Sequence, residues 1–264
     1  MNNNNFLWRI LILISFSMLL HVQAYAQFWQ SYRQNNAKGG VKLIYQEFET
    51  EDVVPGSSGR NITWDFTTIK KGKNRVVKKI TSPDSLAKAE FPEANLIEIH
   101  GDSIFTALQE EYGRTYNLGY IDKSAELKIE YPKPLLVSRF PISYLDVISR
   151  DYTTFFNLKE QSFSGEGKIK IEADGYGNLR LPDTIYREVT RLRITQKQTD
   201  FIEKYDKTHE SSTTTFMWFN KGEKHPILIL RKMRSGDEIR KEGQYLLKVE
   251  DLYKSRNKNQ NFFD

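Results

Sequence analysis

The chain has 264 residues, no cysteine, and a formal charge of +5 from 39 Lys and Arg against 34 Asp and Glu. Without cysteine there is no disulfide brace and no lipid-modified cysteine behind a leader, so the fold must rest on its own core. Aromatic residues at 13%, with many Val, Ile and Thr, favour strands over helices.

The first 26 residues read as a secretory leader. Arg9 gives a positive start. Ile10 to Leu20 is an apolar run too short to span a bilayer, and Ala24-Tyr25-Ala26 is an A-x-A cleavage site. Cleavage after Ala26 sends the protein to the periplasm or the cell exterior, which excludes nucleic acid as a partner. No later apolar run approaches the length of a membrane helix. The remainder, 27–264, is expected to be one β-rich domain with halves of about 41–131 and 135–252 and a polar tail over 254–264.

Val41 to Phe48 alternates apolar and polar residues, the mark of a strand with one buried face. Pro55-Gly56-Ser57-Ser58-Gly59 is a loop. Ile62, Trp64 and Phe66 then share a face. Lys70, Lys71, Lys73, Arg75, Lys78 and Lys79 follow as the densest cationic cluster, with no acid among them. The bland reading is a solvated strand face. The functional one is contact with anionic lipid headgroups or surface polysaccharide. Asp84 caps a short helix near 85–91, which Pro92 ends. Leu96 to His100 and Ser103 to Glu110 form a hairpin around a two-residue turn, Gly101-Asp102. Pro132-Lys133-Pro134 is stiff and extended and reads as a crossover between the halves.

Lys168 to Asp174 reads KIKIEAD, with Ile169, Ile171 and Ala173 on one face and Lys168, Lys170 and Glu172 on the other. Asp174-Gly175 predicts a hairpin, with Asn178 to Leu181 as the return strand. Thr190, Leu192 and Ile194 alternate with Arg191, Arg193 and Thr195 in the next strand. Such one-sided strands belong to antiparallel sheets. The exposed Lys168, Lys170, Arg191 and Arg193 oppose a lipid-facing barrel, whose outer face must be apolar. Phe216-Met217-Trp218-Phe219, Pro226 to Lys232 and Gln244 to Leu252 complete the strands.

The stretch Gly175-Tyr176-Gly177-Asn178-Leu179 to Leu181-Pro182, with Val189 to Arg193, resembles a segment recurring in uncharacterised exported β-rich proteins of Gram-negative bacteria. Asn61 to Phe66 is similar to their early motif, and Phe216 to Phe219 with Pro226-Ile227-Leu228 to their late one. Some of those proteins carry a sorting domain for type 9 secretion. The resemblance implies export and a β-rich fold, and brings no catalytic residue with it.

No enzyme signature stands out. His100, His209 and His225 lack metal-ligand spacing, and no metal or cofactor is expected. There is no G-x-S-x-G elbow, and Gly165-Glu166-Gly167 leads into a strand rather than the helix a phosphate loop needs. Asp174 is the most tempting carboxylate, but Asp before Gly is ordinary turn chemistry. Asp84-Ser85-Leu86, Asp102-Ser103-Ile104 and Asp183-Thr184-Ile185 resemble the D-[S/T]-apolar acceptor for O-glycosylation in some Gram-negative bacteria. That makes Ser85, Ser103 and Thr184 candidate modification sites.

The expected fold is all-β and mainly antiparallel, a strongly curved sheet that forms an incomplete barrel or a sandwich. The first functional expectation is an exported, non-enzymatic binding protein of the cell envelope. Its apolar or lipid-like ligand would lie on Trp64, Phe216 and Trp218; the competing reading places these rings in the core. The alternatives are an envelope assembly or adhesion component, with another protein or a glycan as partner, and a glycan-active hydrolase.

Overall fold

A computed structural model describes residues 29–30, 39–158, 161–202 and 207–252. The leader expected over 1–26 and the tail expected over 254–264 lie outside the described residues. The strands are β1 (Trp29–Gln30), β2 (Val41–Phe48), β3 (Gly59–Asp65), β4 (Lys71–Thr81), β5 (Leu96–His100), β6 (Ile104–Glu111), β7 (Arg114–Asp122), β8 (Leu127–Arg139), β9 (Ile142–Ser143), β10 (Val147–Leu158), β11 (Gln161–Leu181), β12 (Thr184–Ile202), β13 (Lys207–Asn220), β14 (Leu228–Ser235) and β15 (Glu238–Asp251). One helix, α1 (Ser85–Glu90), sits where the sequence places it, with the Asp84 carboxylate accepting the Ala87 N–H at 2.8 Å.

Twelve strands make a closed antiparallel barrel, in the order β10-β8-β7-β6-β5-β4-β2-β15-β14-β13-β12-β11 and back to β10. The all-β, antiparallel expectation stands. The incomplete barrel or sandwich is corrected, because β10 pairs with β11 from Val147↔Glu172 to Leu158↔Gln161 and shuts the ring. Chain neighbours pair around the ring, apart from β3 and β9, and β15 pairs with β2 to join its two ends.

Side chains from strands that are not neighbours identify the inner face. Val76 and Ile80 of β4 pack with Ile229 of β14. Leu135 and Leu136 of β8 pack with Leu192 of β12 and Phe219 of β13. Met217 packs in both clusters, so apolar side chains bridge the barrel interior. Ile169, Ile171 and Ala173 belong to the same interior, as their alternation predicts. Two further clusters lie on the opposite face. One, of Ile97, Ala107 and Leu118, is covered by α1 and Phe91. The other is covered by the β2–β4 connection, which contains β3.

The Asp174-Gly175 hairpin does not form. β11 continues from Gln161 to Leu181, with bulges between Ala173 and Gly175 and between Gly177 and Leu179. The glycines serve a close approach instead. β3 runs parallel to this half of β11, pairing Ile62 with Gly177 and Trp64 with Leu179, and a Cβ on Gly177 would collide with the Ile62 backbone. The real turn is one step later, at Pro182-Asp183, where Leu181 faces Thr184. The β5–β6 turn likewise takes three residues, 101–103, because His100 pairs with Ile104.

Pro132-Lys133-Pro134 is not a crossover. It lies inside β8, where the ladder to β7 jumps from Glu130 to Leu135. β8 pairs with β10 only through residues 127–130. Proline has no N–H to give a ladder, so the pairing ends where the prolines begin. The outcome is a seam in the barrel wall beside residues 147–154 of β10.

Gly177→Ala is expected to lift β3 from β11 and lower the unfolding free energy by about 1–3 kcal/mol, measured by urea denaturation. An unchanged midpoint would show that the β3 contact contributes nothing.

Candidate functional site

The residues expected to form an apolar site do come together. Trp64 of β3 and Phe216 and Trp218 of β13 meet on the outer side of the barrel wall, but no ligand surface is left. Trp218 is 0% and Trp64 2% exposed, packed edge to face at 6.1 Å, with Phe66 adding a ring at 5.4 Å from Trp218. The chain's own guanidinium fills the space between the rings. Arg191 lies 5.2 Å from the Trp64 ring, 5.1 Å from Phe216 and 5.7 Å from Trp218. Its Nε and Nη2 donate to the two Asp174 oxygens at 2.7 and 3.0 Å, and Nη1 donates to the Pro55 and Gly56 carbonyls. Arg191, read from sequence as a solvent-facing residue, is therefore buried, and Asp174 is its counter-ion rather than a catalytic acid. Arg193 is half-buried and paired with Glu172. The sequence could not show this, since strand alternation reports which face a residue takes but not that a distant loop covers that face.

The cationic cluster divides. Lys70, Lys71, Lys73, Arg75 and Lys79 are exposed, with Lys71 reaching Asp183 at 3.4 Å. Lys78 turns inward instead, alongside Val76 and Ile80, and pairs with Glu98 at 2.9 Å. Among the candidate modification sites, Ser85 opens α1 and is exposed, Ser103 lies half-buried in the β5–β6 turn, and Thr184 is exposed at the start of β12. The wall's exposed residues include Lys79, Lys168, Lys170, Lys197, Lys232 and Arg234. A lipid-facing barrel carries an apolar band there. No helix among the described residues is long and apolar enough to cross a membrane.

Two polar groupings lie on the inner face. At one, Lys78, Glu98, His100 and His225 interact. Burial alone would raise the Glu98 carboxyl, but Lys78, His100 and His225 together hold it below the usual range. Burial pushes the His225 imidazole down to about 4, against the opposing pull of Glu98.

The second grouping surrounds Gly165 and Gly167 of β11. The missing side chain of Gly167 makes room for the Tyr152 ring, and that of Gly165 for the Asp200 and Thr154 oxygens. This is the physical use of the G-E-G segment. The Gln196 amide donates to Tyr152 Oη at 2.8 Å, Tyr152 donates to Gln198 Oε1 at 3.0 Å, and the Gln198 amide donates to Asp200 at 2.6 Å. Tyr131 packs edge to face on Tyr152 at 5.8 Å. Burial raises the Asp200 carboxyl despite its bond to Gln198. Thr154 Oγ1 is buried without a hydrogen-bond partner among the described residues.

Beside this network a cleft of about 960 Å3 crosses β10 to β14, lined by Lys133, Tyr152, Gly167, Gln198, Ser211 and neighbouring charged residues. A smaller cleft of about 360 Å3 occupies the β8–β10 seam and shares Lys133, Asp151 and Tyr152 with it. Sequence reasoning missed these residues. The available signals were the two glycines within a strand and the two prolines of β8. No protein-family model, curated protein or solved structure matches the chain.

Arg191→Met is expected to cost about 3–5 kcal/mol of stability in urea titration, since it strands a buried Asp174 carboxylate. The double variant with Asp174→Asn should recover part of that loss. A single variant as stable as the parent would refute the pin.

The depressed His225 also sets a pH dependence. Its unfolded pKa of about 6.5 lies above the folded value, so between these the unfolded chain binds the extra proton. Stability should be flat from this group above pH ~6.5 and fall by roughly 3 kcal/mol on acidification to pH ~4. His100, also lowered by burial, adds to the same limb. Thermal melts across that range should show a shallower acid limb in His225→Gln.

Proposed function

We propose that this chain is an exported, non-enzymatic binding protein whose ligand is polar and rich in hydroxyl groups, of the glycan class, held in the cleft across β10 to β14. The carrying observation is the pre-positioned network at its floor. Tyr152 and Gln198 line the cleft and are themselves oriented by Gln196, Lys197 and Asp200. An amide fixed before binding, backed by the Tyr152 phenol, itself 5% exposed, and by the Asp200 carboxyl behind it, suits a ligand with many hydroxyls, because fewer rotors remain to be ordered. Export rests on the leader read at 1–26 and on the resemblance to exported β-rich proteins.

The apolar-ligand reading loses its support at Trp64, Phe216 and Trp218, whose ring faces are taken by Arg191. A hydrolytic reading requires an acid held protonated across the substrate from a second carboxylate. Asp200 has the raised carboxyl, but it stands behind the cleft wall rather than on it. Of the acids that do line the cleft, Asp151, Glu166 and Glu210, Asp151 is paired with Lys168 at 3.3 Å.

Calorimetric screening of neutral oligosaccharides should find a binder whose affinity falls about tenfold in Gln198→Ala, the scale of one or two lost hydrogen bonds. Trp218→Ala should lower stability and leave that affinity unchanged in protein that remains folded. Native mass spectrometry showing a co-purifying lipid-sized mass would favour the apolar reading over this one.

A further inference from the structure

The seam between β8 and β10 carries an uncompensated charge. Arg114, Lys133, Arg139 and Arg150 all line its cleft of about 360 Å3. Arg114 and Arg139 are direct ladder partners across β7 and β8, so two like charges face each other where opposite charges would stabilise the pair. Neither has an ion-pair partner among the described residues, nor has Lys133. Among the described residues, Arg150 donates only to the Ser149 carbonyl beside it. The one acid lining the cleft among the described residues, Asp151, is engaged with Lys168 on β11. The edge of β10 adds backbone groups, because residues 147–154 pair with β11 and have no ladder partner on the β8 side among the described residues.

We infer that this seam is the anion subsite of the binding cleft, and that the glycan it serves carries an oxyanion such as a uronate carboxylate, a sulfate or a phosphate. The inference rests on the reading of the larger cleft as a glycan site and names the class of glycan. The two clefts share Lys133, Asp151 and Tyr152, so one ligand spans both, its charged group in the seam and its hydroxyl-bearing chain over Tyr152 and Gln198. The seam holds roughly a dozen water volumes at ~30 Å3 each, room for one charged sugar unit. Guanidinium groups suit the task because their planar donor forks match carboxylate, sulfate and phosphate. An oxyanion also relieves the repulsion between Arg114 and Arg139, and that relief is absent for a neutral ligand.

The test is calorimetric titration of the full chain with a galacturonic acid tetrasaccharide, a galactose tetrasaccharide, a sulfated tetrasaccharide and an acidic hexapeptide. Arg139→Gln and Arg150→Gln are the variants, with Arg114→Gln, at an exposed side chain that lines only the seam, as the third should either of these fold poorly. The acidic sugars should bind about tenfold tighter than the neutral one, the worth of one charge-assisted hydrogen bond. High salt should remove that advantage, and each variant should lose it while keeping its affinity for galactose chains. The better of the uronate and the sulfate identifies the oxyanion. Equal affinity for neutral and acidic sugars overturns the anion subsite and leaves the glycan reading intact. Preference for the hexapeptide overturns it in favour of a peptide strand added to the β10 edge. No binding by any probe removes both readings together.

Discussion

One buried ion pair decides which surfaces of this protein are available. Arg191 and Asp174 sit on adjacent strands of the wall, both almost excluded from solvent, at 2.7 Å. Taking two charges out of water costs several kcal/mol each unless the remaining hydrogen-bonding positions are also filled. Here they are filled from a distant part of the chain, by the Pro55 and Gly56 carbonyls and by three aromatic faces. The β2–β4 connection must therefore be in place before Arg191 is satisfied, and Arg191 must be in place before that connection has an anchor. This mutual dependence fixes β3 against β11. It also turns Trp64, Phe216 and Trp218 from a possible ligand wall into an enclosed joint.

The wall has a complementary weak line where backbone chemistry forbids pairing. Pro132 and Pro134 interrupt β8, and its ladder with β10 stops at Glu130↔Phe155. Beyond that point the ring is held by β10–β11 on one side and β7–β8 on the other. An open strand edge invites association with other chains, and charged side chains are the usual guard. Arg114, Lys133, Arg139 and Arg150 exceed that role in one respect. They converge on a concavity that shares Lys133, Asp151 and Tyr152 with the larger cleft, whereas a guard needs only to be exposed.

Much of the β architecture was legible. The alternation at 168–174 placed Ile169, Ile171 and Ala173 correctly on the inner face, and Asp84 with Pro92 bracketed α1. Closure of the ring was not legible, because besides the β10–β11 pairing it needs β2 to meet β15, partners such as Val41 and Asp251 far apart in sequence. The Asp174-Gly175 pair misled for a definite reason. A turn residue signals backbone freedom, but a missing Cβ serves equally well to admit a second backbone, and the sequence does not distinguish the two uses. Lys78 misled for the opposite reason, since its inward parity was readable beside Val76 and Ile80 while its partner, Glu98, became visible only once β4 and β5 were paired.

The size of the ring explains why the sites proposed here are in the wall. Eight strands leave an interior just filled by side chains, and twelve leave more. This protein fills the excess with Phe219, Tyr152 and Leu135 on one side and Tyr45, Ile80 and Ile229 on the other, joined through Met217. Apolar packing thus occupies the middle of the barrel, and the inward polar groups collect in two separate groupings, around Glu98 and around Asp200. Such a barrel has no need of a lumenal ligand to hold its shape. It acts as a stiff frame on which Tyr152 and Gln198 are held in register by the ladders from β10 to β13. A network fixed by long antiparallel strands loses little freedom when a ligand arrives, and a hydroxyl-rich ligand needs that property most, since each of its polar groups must exchange water for an equally well placed partner.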